Sequence, residues 1–243
     1  MIDHDTFVRV HHVPMTEGIH PEEAEGSGKD VLEALGTFFR KYHQSCVLHG
    51  PWSASKLFLG AQGLRAIPAI IDVVCTAAAL EHVVVNEGFQ FDREEQLFVC
   101  YQGPVVFRLD GQKIQDWNLD ERYFFDAVHF SLDGAVIPVA AAEYTIALML
   151  RHAYHAGEQL DGDAVRDCVA LLAAPFVREG IRSLSLERLS DLTLHMAGYR
   201  ALAMLDQILE GVLVLQQHGV QEKTAAWIQA WRKQLSAMVE SQA

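Results

Sequence analysis

The residue types that phosphate chemistry uses are gathered between Gly50 and Asp72: Gly50, Ser53, Ser55, Lys56, Arg65 and Asp72. Gly50-Pro51 turns the chain out of the short apolar run 46–49. Ser53 or Ser55 caps the helix expected next, and Lys56 falls in its first turn. Free amides at a helix start facing a glycine turn form an anion site. Arg65 can neutralise the same charge. Asp72, the single carboxylate inside the apolar strand 70–74, can hold a divalent cation against bound phosphates. The same residues also allow a plainer reading, in which Gly50-Pro51 is a turn and Asp72 a local cap or ion-pair partner.

Other groups compete less well. His152 and His155 stand three apart on one helix face, with Asp161, Asp163 and Asp167 after them, and such a pair can ligate a metal. Histidines near a helix C-terminus are equally a favourable surface feature. Arg188 and His195 share a helix face, and their spacing resembles, at its loose limit, the Arg-x-(four to six)-His pattern of a group of helical nucleases. The alternative is a solvated Arg and a half-buried His. Gly26-Ser27-Gly28-Lys29 resembles a phosphate loop only in fragment. An acidic stretch precedes it and Asp30 follows the Lys, whereas that motif needs a strand before it and Ser or Thr after it. Trp227 and Trp231 sit at helical spacing and fit either an internal core or an interface.

These residues need a frame. A strand-like run at 7–13 leads into a loose acidic loop. Asp30 and Glu33 have capping-box spacing, and Val31, Leu32, Leu35, Phe38, Phe39 and Tyr42 then fall on one helix face. Strands are expected at 46–49, 70–74, 83–85, 96–101 and 105–109, with a helix over 77–82 and turns at Gly103-Pro104 and Asp110-Gly111. From 130 to 172 the chain reads as a strand, a proline stop, a helix, an acidic linker and a second helix. A helical pattern, apolar on more than one face, runs over 186–218 and contains Gly198 and Gly211. A last helix covers about 221–239.

Composition narrows the field. Of 243 residues, 50% are hydrophobic and 21% charged, which is a globular balance. The formal charge of −13 opposes strong binding to nucleic acid or anionic membrane. No apolar run reaches the length of a membrane span, because Glu81 and His82 interrupt the longest early one. Asp3, Asp5 and Arg9 exclude a secretory leader. Four cysteines without a C-x-x-C pair, each in an apolar run, read as buried reduced thiols of a cytoplasmic protein.

The order of elements from 47 to 172 resembles the nucleotidyltransferase fold, in the broad group of minimal nucleotidyltransferases and bacterial abortive-infection toxins of that type. Leu48-His49-Gly50 matches the strand-to-glycine turn, and Arg65 the Arg before the carboxylate strand. Asp133-Gly134-Ala135-Val136-Ile137-Pro138-Val139 is similar to the family's G-x-x-I/L-P-V strand. Ala142-Glu143-Tyr144-Thr145 resembles its helix start, and Asp167-Cys168-Val169-Ala170-Leu171-Leu172 its D-x-x-x-L-L helix. The departures are chemical. Pro51 stands where the family has Gly or Ser, Ile70 where it has the first of two carboxylates, and residues 105–107 carry no third one.

The expected fold is therefore α/β: a nucleotidyltransferase-like mixed sheet flanked by helices over 1–174, with a helical extension over 175–243. The resemblance implies binding of a nucleotide or another phosphorylated small molecule at Gly50, Ser53, Ser55, Lys56 and Arg65. Asp72 would be the remaining catalytic and metal carboxylate, with Mg2+ as the fitting cofactor. One Asp is poor provision for two-metal phosphoryl chemistry, so the site reads as that of a pseudoenzyme. The alternative is a non-catalytic accessory, immunity or antitoxin-like protein. It would act through a homo-oligomer or a protein partner bound over 186–239.

Overall fold

The computed structural model describes residues 13–16, 28–50, 69–111, 122–156, 168, 171–172 and 184–198, with scattered residues from 201 to 237. The chain divides into two compact units, Met1–Ala141 and Ala142–Ala243. The sequence reading draws that line after residue 174. Packing draws it earlier, because the helix that opens at Ala142 lies against the later helix at Leu186–Ala197.

In the first unit the elements run β1 (Met15–Thr16), α1 (Gly28–Tyr42), β2 (Cys46–His49), β3 (Ile70–Cys75), α2 (Leu80–Glu87), β4 (Gln90–Asp92), β5 (Leu97–Gln102), β6 (Val105–Asp110), α3 (Arg122–Phe125), β7 (Val128–Leu132) and β8 (Ala135–Val139). The strands form one mixed eight-stranded sheet in the order β1-β4-β5-β6-β3-β2-β8-β7. β3 runs parallel to β6 and antiparallel to β2, while β2 runs parallel to β8. An α/β mixed sheet flanked by helices is thus observed.

Register sorts the side chains, since paired residues point to the same side of a sheet. One face collects Cys46, Leu48, Ile71, Val73, Phe98, Cys100, Phe107, Leu109, Ile137 and Val139. It is apolar throughout and α1 covers it. Val31, Leu35, Phe38 and Phe39 are all fully buried, and Phe38 stacks on Phe107 with ring centroids 4.9 Å apart. Burying a side chain of that size contributes about 2–3 kcal/mol. α1 begins at Gly28, so Asp30 lies in its first turn rather than ahead of it.

α2 corrects the expected strand at 83–85. Val83 and Val84 are β-branched, but with Leu80 they form one buried helical stripe, and Gly88 closes the helix at φ +69 with its N–H donating to Val84 O. β7 and β8 make a hairpin across Asp133-Gly134. Pro138 lies inside β8 rather than stopping it. Pairing with β2 starts only at Val139, so the missing N–H of Pro138 breaks no bond on that side.

The second unit holds α4 (Ala142–Ala156) and α5 (Leu186–Ala197). Ser185 caps α5, its Oγ accepting the Arg188 N–H. The long helix expected over 186–218 is interrupted: α5 ends at Gly198, which has φ +76 and ψ −177. Glu143 Oε1 accepts the Ser185 N–H at 3.0 Å, tying α4 to the start of α5. Trp231 is buried and belongs to a core rather than an open face; Trp227 lies outside the described residues. No described helix is long and apolar enough to cross a membrane.

Candidate functional site

The opposite face of the sheet carries the charge. Register places His49 beside Asp72 and Asp72 beside Arg108, with Asp110 two residues further along β6. A polar row therefore crosses β2, β3 and β6 at the middle of the sheet. His49 and Asp72 are almost wholly buried, and Asp110 is nearly so. Tyr123 from α3 reaches this face, where its hydroxyl shares a hydrogen bond with His49 Nδ1.

Asp72 is held from two sides. The Arg108 Nε–H donates to its Oδ1 at 2.6 Å, with the Asp72 side chain 9% and the Arg108 side chain 27% exposed. Its Oδ2 lies against Gly50, whose φ is +86; a Cβ built there would stand 2.5 Å from that oxygen. Glycine is thus required at position 50 for two independent reasons, backbone conformation and space. Burial by itself would lower the pKa of Arg108. The hydrogen bond and charge of Asp72, helped by Glu95 and Asp110, more than offset it and raise the pKa, so the guanidinium stays charged.

Gly50 and Asp72 are therefore brought together, as the sequence suggests. Ser53, Ser55, Lys56 and Arg65 lie outside the described residues, as do the side chains of His152 and His155. The Arg188 Nη2 donates to Tyr144 Oη at 2.9 Å and its guanidinium lies 4.9 Å from the Tyr144 ring centroid, while His195 is exposed.

Arg108, His49 and Tyr123 escape the sequence reading. For Arg108 a signal existed: Ile-Ile-Asp-Val-Val and Val-Phe-Arg-Leu are two apolar strands, each with one central charge of opposite sign. Buried charges are found in pairs, so two such strands are natural neighbours.

No protein-family model matches the sequence, and no curated protein does. Among solved structures the chain is similar to an antigenic nucleotidyltransferase-like protein from Paracoccidioides brasiliensis. The TM-score is 0.50 at 16% identity, over 74% of this chain and 89% of that one. The fold is that of the nucleotidyltransferases. A second similar structure is the antibiotic-resistance factor ANT(2'')-Ia, with a TM-score of 0.42 and 12% identity over 68% of this chain and 89% of that one.

A metal is implied by such a fold, so the donors of this nucleotidyltransferase-like sheet matter. Among the described residues no group of three or more His, Cys, Asp or Glu side chains could hold a metal ion. Asp72 already accepts from a guanidinium, and its neighbour on β6 is that cation rather than a second carboxylate. The described donor set does not fit a divalent metal held between carboxylates.

Proposed function

We propose that this chain is a nucleotidyltransferase-like protein that binds a nucleotide or another phosphorylated ligand at the polar face of its sheet, without carrying out nucleotidyl transfer. Gly50, Asp72 and Arg108 form the described part of the site, and Ser53, Ser55, Lys56 and Arg65 complete it. The observation that carries this reading is the part-buried Asp72–Arg108 pair in the polar row at the middle of the sheet. Such a pair is weak provision for stability, because desolvation offsets much of the attraction. The non-catalytic part of the reading is supported by the described donors, which lack the several oxygens that in-line phosphoryl chemistry needs to fix its ions.

Isothermal titration calorimetry with the four ribonucleoside triphosphates and monophosphates, with and without magnesium, tests the reading. Saturable heat with at least one of them is expected. No heat with any of them at millimolar concentration overturns it. Incubation with radiolabelled triphosphate should leave neither protein nor candidate acceptors labelled, and labelling abolished by Asp72→Asn would overturn the non-catalytic part.

A further inference from the structure

Resting on the phosphate-binding reading above, we infer that Arg108 is the phosphate anchor of the site, that Asp72 is its positioning residue rather than a metal ligand, and that the ligand is a phosphate monoester taken without a divalent cation.

The geometry assigns these roles atom by atom. Asp72 offers two oxygens. Oδ1 is committed to the Arg108 Nε–H at 2.6 Å, and Oδ2 is pressed against the Gly50 backbone, where even a methyl group would stand 2.5 Å away. Among the described residues no second carboxylate stands beside Asp72 to share a metal ion with it. A guanidinium has five N–H donors. One is used on Asp72, and among the described residues the Nη donors make no other hydrogen bond. The Arg108 side chain keeps 27% of its surface open, whereas Asp72 keeps 9%. Anchoring at Nε fixes the plane of the fork and leaves the terminal N–H pair for an oxyanion, the geometry in which Arg grips phosphate.

The sign of the surroundings sets the ligand class. Asp72 at 2.6 Å and Asp110, two residues further along β6, surround this one guanidinium with negative charge. A polyphosphate stripped of magnesium would meet that field with several negative charges. A monoester brings at most two and can be satisfied by a single fork. A nucleoside monophosphate is the form of nucleotide that meets this condition.

The test uses the full chain and titrates AMP, GMP, CMP and UMP in EDTA and again in magnesium. Inorganic phosphate serves as a competitor. The expected result is binding in EDTA that magnesium changes by less than about twofold. Arg108→Gln should weaken it about tenfold or more, the scale of one charge-assisted fork. Arg108→Lys keeps the charge but not the fork, and should also lose most of the affinity; it decides the matter if the Gln variant does not fold. Asp72→Asn should cost less than about threefold, because an amide oxygen still accepts from Nε, and Asp72→Ala should cost distinctly more.

A purely structural Asp72 would affect folding in both variants without this split in affinity, and that result overturns its positioning role. Binding that requires magnesium, is abolished in Asp72→Asn and is unaffected in Arg108→Lys overturns the inference and leaves the phosphate-binding reading standing. If neither the monophosphates nor the triphosphates bind in either condition, both fall.

Discussion

Gly50 and Asp72 are in steric contact across the β2–β3 pair: a Cβ on Gly50 would lie 2.5 Å from Asp72 Oδ2 and 3.0 Å from its Cβ. The φ of +86 at Gly50 adds a conformational cost for any other residue. Gly50→Ala should therefore lose about 1–2 kcal/mol from the backbone. A further 1–3 kcal/mol or so should come from pushing Asp72 aside. Urea unfolding measures the sum. In an Asp72→Ala background the oxygen is gone, so the same glycine substitution should cost less by most of the steric part. An equal cost in both backgrounds would show that the contact carries no energy.

Tyr42 at the end of α1 donates its hydroxyl to Glu87 Oε1 at 2.6 Å, and the same oxygen takes the Lys41 ammonium at 3.0 Å. Burial first, then the hydrogen bond to Glu87 and the Glu87 charge, push the Tyr42 pKa well above its usual value. A raised pKa in the folded state contributes stability that is complete below the unfolded value, about 10, and is lost as pH rises toward the folded one. Above pH 10 the unfolded chain has released this proton while the folded chain keeps it. Stability should then fall by about 1.4 kcal/mol per pH unit from this group. Tyr42→Phe should lose about 1.5–3 kcal/mol at pH 7. It should also show a shallower decline between pH 10 and 11.5 in chemical denaturation, and parallel curves would refute the assignment.

Much of the frame is legible along the chain, for physical reasons that differ by element. β2, β3, β5 and β6 fall within one residue of their expected bounds because each is an apolar run; Gly50, Gly103 and Gly111 follow β2, β5 and β6, and Pro68 precedes β3. β4 is three residues long, too short to show alternation. The stretch 83–85 misleads because three valines have strand propensity, while the decisive contacts of Val83 and Val84 belong to a helix stripe that Leu80 begins. Gly198 is visible, but whether a glycine ends a helix or rides inside it depends on what the helix packs against. The site divides the same way. Gly50 and Asp72 announce themselves by residue type. Arg108 becomes a neighbour of Asp72 only through the parallel register of β3 and β6, a fact that neither strand states alone.

In the second unit, Glu143 of α4 is buried, yet it accepts a backbone N–H from Ser185, the residue whose own Oγ caps α5. Glu143→Ala leaves that donor without its carboxylate and should cost about 2–3 kcal/mol. Ser185→Ala removes only the cap and keeps the N–H that Glu143 uses, so about 1 kcal/mol is expected. Glu143→Gln should fall between wild type and Glu143→Ala, since its amide oxygen still accepts. Thermal unfolding of the full chain ranks the three variants, and a Ser185→Ala loss larger than that of Glu143→Ala would contradict the hierarchy.

Thr193 lies within α5 and is 0% exposed, and among the described residues its Oγ1 has no hydrogen-bond partner. A helical threonine ordinarily returns its hydroxyl to a carbonyl one turn earlier, which satisfies the group at little cost. Here that bond is not made, so the folded state bears the desolvation of a hydroxyl with nothing in exchange, while the unfolded chain gives it to water. Thr193→Val replaces the hydroxyl with a methyl group of nearly the same shape, and the two residues have similar helix propensity. Swapping Thr for Val ordinarily removes a useful hydrogen bond. In this position it should remove only a penalty, so stability should rise by about 1 kcal/mol. Thr193→Ser keeps the hydroxyl and deletes the methyl, and should destabilise by about 1 kcal/mol through the small cavity it leaves. Opposite signs for the two substitutions in urea unfolding are the expected signature. Destabilisation by both would mean that the Thr193 hydroxyl is satisfied in solution.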